Sequence, residues 1–379
     1  MHRRATWLTF AVFLLQPLPF GAWLALIPLV KETLGLDKAQ LAYALLGLPI
    51  GLLPMLHVAG RLMSVFGPRR VLAVTLPVNA GLSCLPLFAT GVVSLFAALA
   101  AVGVVVALMQ VSLNVYAGRL EKHRGLTVMS RAHGFWALGV AMGSALMAAL
   151  SGLGTLPGFL AIAILSAALG AWAALSLEKL PGLDGGTRAP RRHWREIPRV
   201  LPLIALVTLA VSMTEGAMSD WAAVYLAERL GDPTGGGLAV TIFASFLALG
   251  RFLGDAARLR FGAVALARAV LVCAIAGLGC LVLPLPLFAA YLGFALVGLG
   301  ASVGFPLGIS AAAALDDTFE GPNIAFVSTV TMLGFLVGPP LIGGLAESFG
   351  LRVGLSALLP GLILGLVFAR ALEIRPRRA

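Results

Sequence analysis

Glu215 lies in a long apolar run of this 379-residue chain, from Val200 to Leu226, and its placement needs a chemical explanation. An ionisable side chain deep in hydrocarbon costs at least ~2.5–3.5 kcal/mol, so it is kept for a partner or for a task. Counted from Leu201 at ~1.5 Å per residue, Glu215 falls about 21 Å along a helix, past its middle. Burial disfavours a charged carboxylate, which would let Glu215 gain and lose a proton near neutral pH. The other reading is a hydrogen-bonded Glu215 that pins Gly216 to a neighbouring helix. Asp220, five residues on, is expected near the end of the run, capping backbone or pairing with Arg229. Trp221 and Tyr225 read as aromatics of a membrane interface.

Other polar side chains sit in comparable runs. Gln110 and Asn114 are four apart and share a helix face. They would hydrogen-bond either a polar ligand or a neighbouring helix, pointing into a bundle or a wet cavity in both cases. Gln16 falls about 15 Å into the first run, at mid-membrane depth, beside Pro17 and Pro19, which would free carbonyls and bend the helix there. His133 is about 9 Å into its run, and imidazole titrates near neutrality, so it either relays protons or bonds another helix. His57, near a basic loop, reads as structural.

Composition identifies what positions these residues. The chain is 60% hydrophobic and 11% charged, with 45 glycines and a mean hydropathy of +0.99, where a soluble domain has roughly 25% charged residues. That excludes a soluble globular protein. The runs are long and continuous, unlike the ~10-residue alternating strands of a barrel, so the spans are helices. Twelve are expected near 6–30, 41–60, 71–90, 92–117, 127–150, 155–177, 200–226, 235–256, 263–283, 287–314, 323–345 and 353–371. The first is long enough to span and is expected to be retained rather than cleaved.

The formal net charge of +11 follows topology. With the N-terminus inside, all but four of the 27 basic residues, Lys31, Lys38, Arg229 and Arg352, fall in inward segments. This is the positive-inside rule, and it predicts cytoplasmic termini without any need for nucleic acid. Asp316, Asp317 and Glu320 make one inward loop acidic, which carries little weight for orientation. Cys84, Cys273 and Cys280 lie inside spans without metal or redox spacing, so neither a disulfide nor a metal is expected.

The polar stretch from Glu178 to Arg199 divides the chain into a six-helix half at 1–177, a cytoplasmic linker at 178–199 and a second six-helix half at 200–379. An offset of 195 residues superposes glycines of the halves: Gly21 on Gly216, Gly67 on Gly262, Gly103 on Gly298, Gly139 on Gly334, Gly143 on Gly338 and Gly170 on Gly365. Gly139-x-x-x-Gly143 and Gly334-x-x-x-Gly338 are small-residue pairs of the kind that pack helices closely in lipid.

The loop Gly60-Arg61-Leu62-Met63-Ser64-Val65-Phe66-Gly67-Pro68-Arg69-Arg70 resembles the loop signature of the major facilitator superfamily. Gly250-Arg251-Phe252-Leu253-Gly254-Asp255, followed by Arg258, Arg260 and Gly262, resembles its second-half counterpart. The resemblance implies an inner latch that includes Arg61, Gly67, Arg69, Arg70, Asp255 and Arg260. Ser64 stands where the family usually has an aspartate. The segments Asn114–Glu121, Met129–Gly139, Glu215–Leu226 and Gly334–Gly343 resemble a branch of bacterial inner-membrane facilitators whose substrates are mostly unassigned.

The resemblance implies an all-α integral membrane fold, two pseudo-symmetric halves that rock about a central site, and secondary transport of a small polar molecule. Gln16, Gln110, Asn114 and Glu215 are the expected cavity residues, with Glu215 and His133 as candidates for proton coupling. No cofactor is expected beyond the coupling ion, H⁺. The expected partners are a small-molecule substrate and membrane lipid, with the chain a monomer. The alternative is efflux of hydrophobic compounds, because only one deep acid is present. Enzymes and channels are disfavoured: no H-E-x-x-H, C-x-x-C or phosphate loop appears, nor a ring of pore-lining charges.

Overall fold

The computed structural model describes residues 2–125, 128–180, 197–316 and 319–373, and the side chains of His2, His57 and Ser64 fall outside that description. The readings placed on the side chains of His57 and Ser64, on most of the linker, on Asp317 and on the last three arginines therefore lie outside the described residues.

Helices α1 (His2–Leu15) and α2 (Leu18–Thr33) form the first span, interrupted at Gln16 and Pro17. Pro19 has no N–H for the Leu15 carbonyl, and the Ser166 hydroxyl donates to that oxygen at 2.8 Å instead. Helices α3 (Lys38–Leu45) and α4 (Gly47–Phe66) make the second span. A reciprocal cap starts α3: Gln40 N–H donates to the Asp37 carboxylate at 2.7 Å, and Asp37 N–H to the Gln40 side-chain oxygen at 3.1 Å. Then come α5 (Pro68–Leu82), α6 (Val92–Arg124), α7 (Met129–Ala149) and α8 (Thr155–Ser176). The N-terminus of α7 is capped by Glu121, whose carboxylate accepts from the Met129 N–H at 2.8 Å.

After the linker follow α9 (Val200–Leu230), α10 (Gly237–Phe261) and α11 (Ala263–Val282). The tenth span is split into α12 (Leu287–Ala301) and α13 (Gly304–Ala313). After α14 (Glu320–Phe349) come α15 (Leu351–Ser356) and α16 (Leu359–Val367). Among the described residues eleven helical stretches are long and apolar enough to cross a membrane, and the last, Leu351–Val367, is a shorter apolar pair.

The chain packs as two compact units, one of Met1–Leu183 with Ser219–Ala248, the other of Asp184–Met218 with Leu249–Ala379. In the first, Phe13, Leu72, Leu76, Met109, Tyr116 and Leu120 form part of a buried cluster. In the second, α11 and α12 meet backbone to backbone: a methyl group on Gly300 would lie 2.5 Å from the Ala274 nitrogen.

The 195-residue offset relates contacts as well as residues. A methyl group on Gly139 would lie 2.1 Å from the Leu14 carbonyl, and one on Gly334 would lie 3.2 Å from the Leu209 carbonyl. Gly143 meets Leu18 as Gly338 meets Met213, Gly21 meets Val140 as Gly216 meets Phe335, and Gly170 meets Leu76 as Gly365 meets Leu271. Both members of each contact move by the same 195 positions. Gly67 and Gly262, also so related, have φ of 75° and 82° at the joints before α5 and α11, in the region open to glycine without a Cβ clash.

Candidate functional site

Glu215 is the middle residue of α9, fifteen from either end, and Arg251 lies within two residues of the middle of α10. The Arg251 guanidinium donates through Nη2 to Glu215 Oε1 at 2.9 Å, and the two side chains are 11% and 12% exposed. Counting Arg251 among the inward bases is therefore corrected: ten residues, about 15 Å, of helix separate it from the end of α10. Glu215, expected to be kept for a partner or for a task, has a charged partner. An opposite charge at this distance compensates for the hydration that both groups lose.

A broken helix fixes the third side of the site. Pro306 cannot donate to the Ser302 carbonyl, and this oxygen, at the gap between α12 and α13, accepts from Arg251 Nε at 3.4 Å. Close packing brings α10 to that gap: a methyl group on Gly250 would lie 2.2 Å from Ser302 Oγ, and one on Gly254 would lie 2.5 Å from Val303 Cγ1. Glu215, Arg251, Ser302 and Pro306 all belong to the second unit.

Gln16 belongs to the first unit, at the break between α1 and α2, and is 3% exposed. Trp136 on α7 donates its indole N–H to the Gln16 amide oxygen at 2.9 Å, and the Trp136 ring lies 6.2 Å from that of Phe20. His133, one turn earlier, sets its ring edge-on to Phe13 at 5.6 Å. Gln110 is half-buried and Asn114 exposed, and neither hydrogen-bonds a described residue. The structure thus joins Gln16 to Trp136 and Glu215 to Arg251, two polar sites in different units.

Asp220 lies ten residues before the end of α9 and makes no ion pair or hydrogen bond with a described residue, which corrects the expected pairing with Arg229. Trp221 and Tyr225 are 0% and 3% exposed, which corrects their reading as interfacial aromatics. The cause is packing within the first unit: Gly236 and Gly237, at the start of α10, lie against the Ala223 carbonyl and the Ala25 side chain, and Ser144 Oγ donates to the Gly237 carbonyl at 2.8 Å.

The expected latch residues are spread out. Arg69 donates to the Leu175 carbonyl at the end of α8, and Arg258 donates to Ser310 Oγ at 3.1 Å. Arg61, Arg70, Asp255 and Arg260 are exposed. Asp255 forms no ion pair with a described residue. The 195-residue offset places Leu259, not Asp255, at the position of Ser64.

Sequence reasoning missed Arg251 as an intramembrane residue, Trp136 as the partner of Gln16, and Asn79, a buried residue of α5 whose amide oxygen has no partner among the described residues. The signal for Arg251 was present. It precedes Gly262 by eleven residues, too far from the joint for a loop.

Multiple spanning helices, helix-packing glycines and a charged pair buried at mid-span define a polytopic membrane transporter. The family model of the Major Facilitator Superfamily matches residues 8–316, and the chain belongs to that superfamily. It is 31% identical over 354 residues to the uncharacterised transporter y4wD of Sinorhizobium fredii, covering 90% of this chain and 91% of that one. To an uncharacterised MFS-type transporter of Yersinia pestis it is 30% identical over 349 residues, covering 90% and 88%. A crystal structure of a point mutant of the nucleoside transporter NupG superposes with a TM-score of 0.74 at 15% identity, covering 97% of this chain and 98% of that chain. The chain is a transporter and not an enzyme.

Proposed function

We propose that the protein is a secondary transporter that moves a small polar molecule across the bacterial inner membrane by alternating access, driven by H⁺, with both termini in the cytoplasm. The observation that carries this reading is the Glu215–Arg251 pair, held at mid-helix by two different helices. A buried ion pair adds little net stability, because desolvation offsets its Coulomb attraction, so its retention in a span asks for a task. Glu215 is the member that a proton can neutralise. Protonation releases Arg251 to the cargo, and return of the pair expels the cargo on the other side. Within the first unit, Gln16 and Trp136 supply a polar contact of their own at the break of the first span.

The test is transport in reconstituted vesicles with an imposed pH gradient, once a cargo has been found by thermal stabilisation of the purified protein. Glu215→Gln is expected to lose gradient-driven accumulation while keeping exchange of cargo across the membrane. Accumulation equal to that of the parent would remove Glu215 as the coupling group.

A further inference from the structure

We propose that the first unit carries a cargo site at Gln16, Phe20 and Trp136, and that it takes a flat aromatic ring with a hydrogen-bond acceptor on its edge. This rests on the reading of the protein as a transporter of a small polar molecule. It adds the shape and chemistry of that molecule and draws nothing from the Glu215–Arg251 pair. All three residues lie within Met1–Leu183.

The amide of Gln16 carries the first half of the argument. An indole N–H can only donate, so the Gln16 atom that Trp136 meets at 2.9 Å is the oxygen. The amide nitrogen is thereby turned away from Trp136, with two hydrogens to place. It donates to no described residue. The carbonyl that Pro19 frees close by, on Leu15, is already taken by the Ser166 hydroxyl. On a side chain that is 3% exposed, idle donors are costly, and leucine or methionine would fill the space without that cost. An acceptor brought by the cargo removes it.

The rings select the shape of what brings that acceptor. Trp136 and Phe20 lie 6.2 Å apart, centroid to centroid, with their planes tilted by 37°, and both are half-buried, so neither ring is closed off by the other. Flat rings pack on such faces offset or edge-on, a geometry that a puckered aliphatic ring lacks. A belt at the membrane interface also supplies aromatics, and Trp7, 62% exposed near the start of α1, fits that reading. Trp136 and Phe20 do not. Trp136 is the eighth residue of α7, about 10 Å from its start, and Phe20 lies just beyond the break within the first span. The neighbouring positions continue the ring-lined wall, α1 presenting Phe13 and α7 presenting His133, 5.6 Å apart. In the complex the cargo ring packs on Trp136 beside Phe20, and its edge accepts from Gln16 Nε2.

The experiment is thermal unfolding of the purified full chain with nicotinamide or benzamide, flat rings that carry a carbonyl acceptor, against cyclohexanecarboxamide, which carries the same group on a puckered ring. The two aromatic amides are expected to raise the melting temperature and the saturated one is not. Phe20→Leu removes one ring and leaves the bond between Gln16 and Trp136 in place, and should weaken benzamide binding about two- to tenfold. Gln16→Met removes the donors and should weaken it about fivefold. Equal stabilisation by aromatic and saturated amides, or stabilisation by none of them, overturns the proposal, and so does a Phe20→Leu variant that binds benzamide as the parent does. If Gln16→Met does not fold, the comparison of rings and the Phe20→Leu variant still decide. Binding needs no pH gradient, so the readings fail separately: gradient-driven accumulation that survives Glu215→Gln removes the coupling group and leaves this site standing, whereas loss of ring selectivity removes this site alone.

Discussion

Trp136 donates its indole N–H to the Gln16 amide oxygen at 2.9 Å, and so ties α7 to the point where the first span breaks. Gln16 is 3% exposed, so its oxygen cannot turn to water when the donor is removed. Trp136→Phe is expected to destabilise the protein by about 1–3 kcal/mol from the unpaired acceptor alone. Gln16→Leu in the same background should recover part of the loss, because both polar partners are then gone. Thermal unfolding of the two single variants and the double variant in detergent checks this, and additive effects would show that the bond contributes nothing.

The glycine pairs give a second prediction with an internal control. A methyl group on Gly143 would lie 2.1 Å from the Leu18 carbonyl, whereas one on Gly338 would lie 3.4 Å from Met213 Cγ, an ordinary contact with a flexible side chain. Gly143→Ala must push helix backbones apart and should cost at least about 1–3 kcal/mol. Gly338→Ala should be tolerated. Comparing yield and melting temperature of the two variants checks the difference, which sequence repetition alone would not lead one to expect.

The fold was legible because hydropathy, Pro17 and Pro19 speak of local chemistry: long apolar runs must be helices in lipid, and a missing N–H must break one. The offset of 195 was legible in glycines because close helix contacts tolerate nothing larger. Sites were harder. Glu215 stood out because an acid in an apolar run is costly wherever its partner lies. Its partner did not, since Arg251 was read with the bases that follow it, and only its eleven-residue distance from Gly262 separates it from a loop residue. The offset also explains why the site has no twin. The positions matching Glu215 and Arg251 in the first half are Phe20 and Leu56, so the repeat supplies two similar scaffolds and only one ion pair.

That ion pair carries the third prediction. Arg251→Met leaves the Glu215 carboxylate without its counter-charge and should destabilise the protein by about 3–5 kcal/mol. Glu215→Leu combined with Arg251→Met replaces both charges with apolar groups and should fold nearly as well as the parent, while losing transport. Melting temperature and vesicle transport, measured on the same preparations, separate the two effects. A double variant no more stable than Arg251→Met would show that the pair is not the interaction being lost.

Orientation is tested by charge placement. The last turn of α6 carries Lys122, His123 and Arg124, and the joint after α9 carries Asp232, whose carboxylate accepts from the Thr234 hydroxyl at 2.7 Å. The positive-inside rule places the first in the cytoplasm and the second outside. A single cysteine at His123 should react with an impermeant thiol reagent only in inverted vesicles, and one at Asp232 only in intact cells. The reverse pattern would overturn the assignment.

In the proposed alternating-access cycle α3 and α9 would part near Lys38 and Glu228, whose side chains form an ion pair at 3.0 Å within the first unit. Glu228 is 43% exposed, so the pair itself contributes at most about 1 kcal/mol, and breaking it with Glu228→Gln should change stability little. A covalent link is different in kind, because it forbids separation rather than disfavouring it. Cysteines at both positions, joined by a short bifunctional thiol reagent, should abolish transport, and cleaving the link should restore it. Each single cysteine treated with the same reagent should transport normally, which separates the tether from mere modification. Full transport by the linked protein would mean that these two helices do not part during the cycle, and access from that side would then have to open elsewhere.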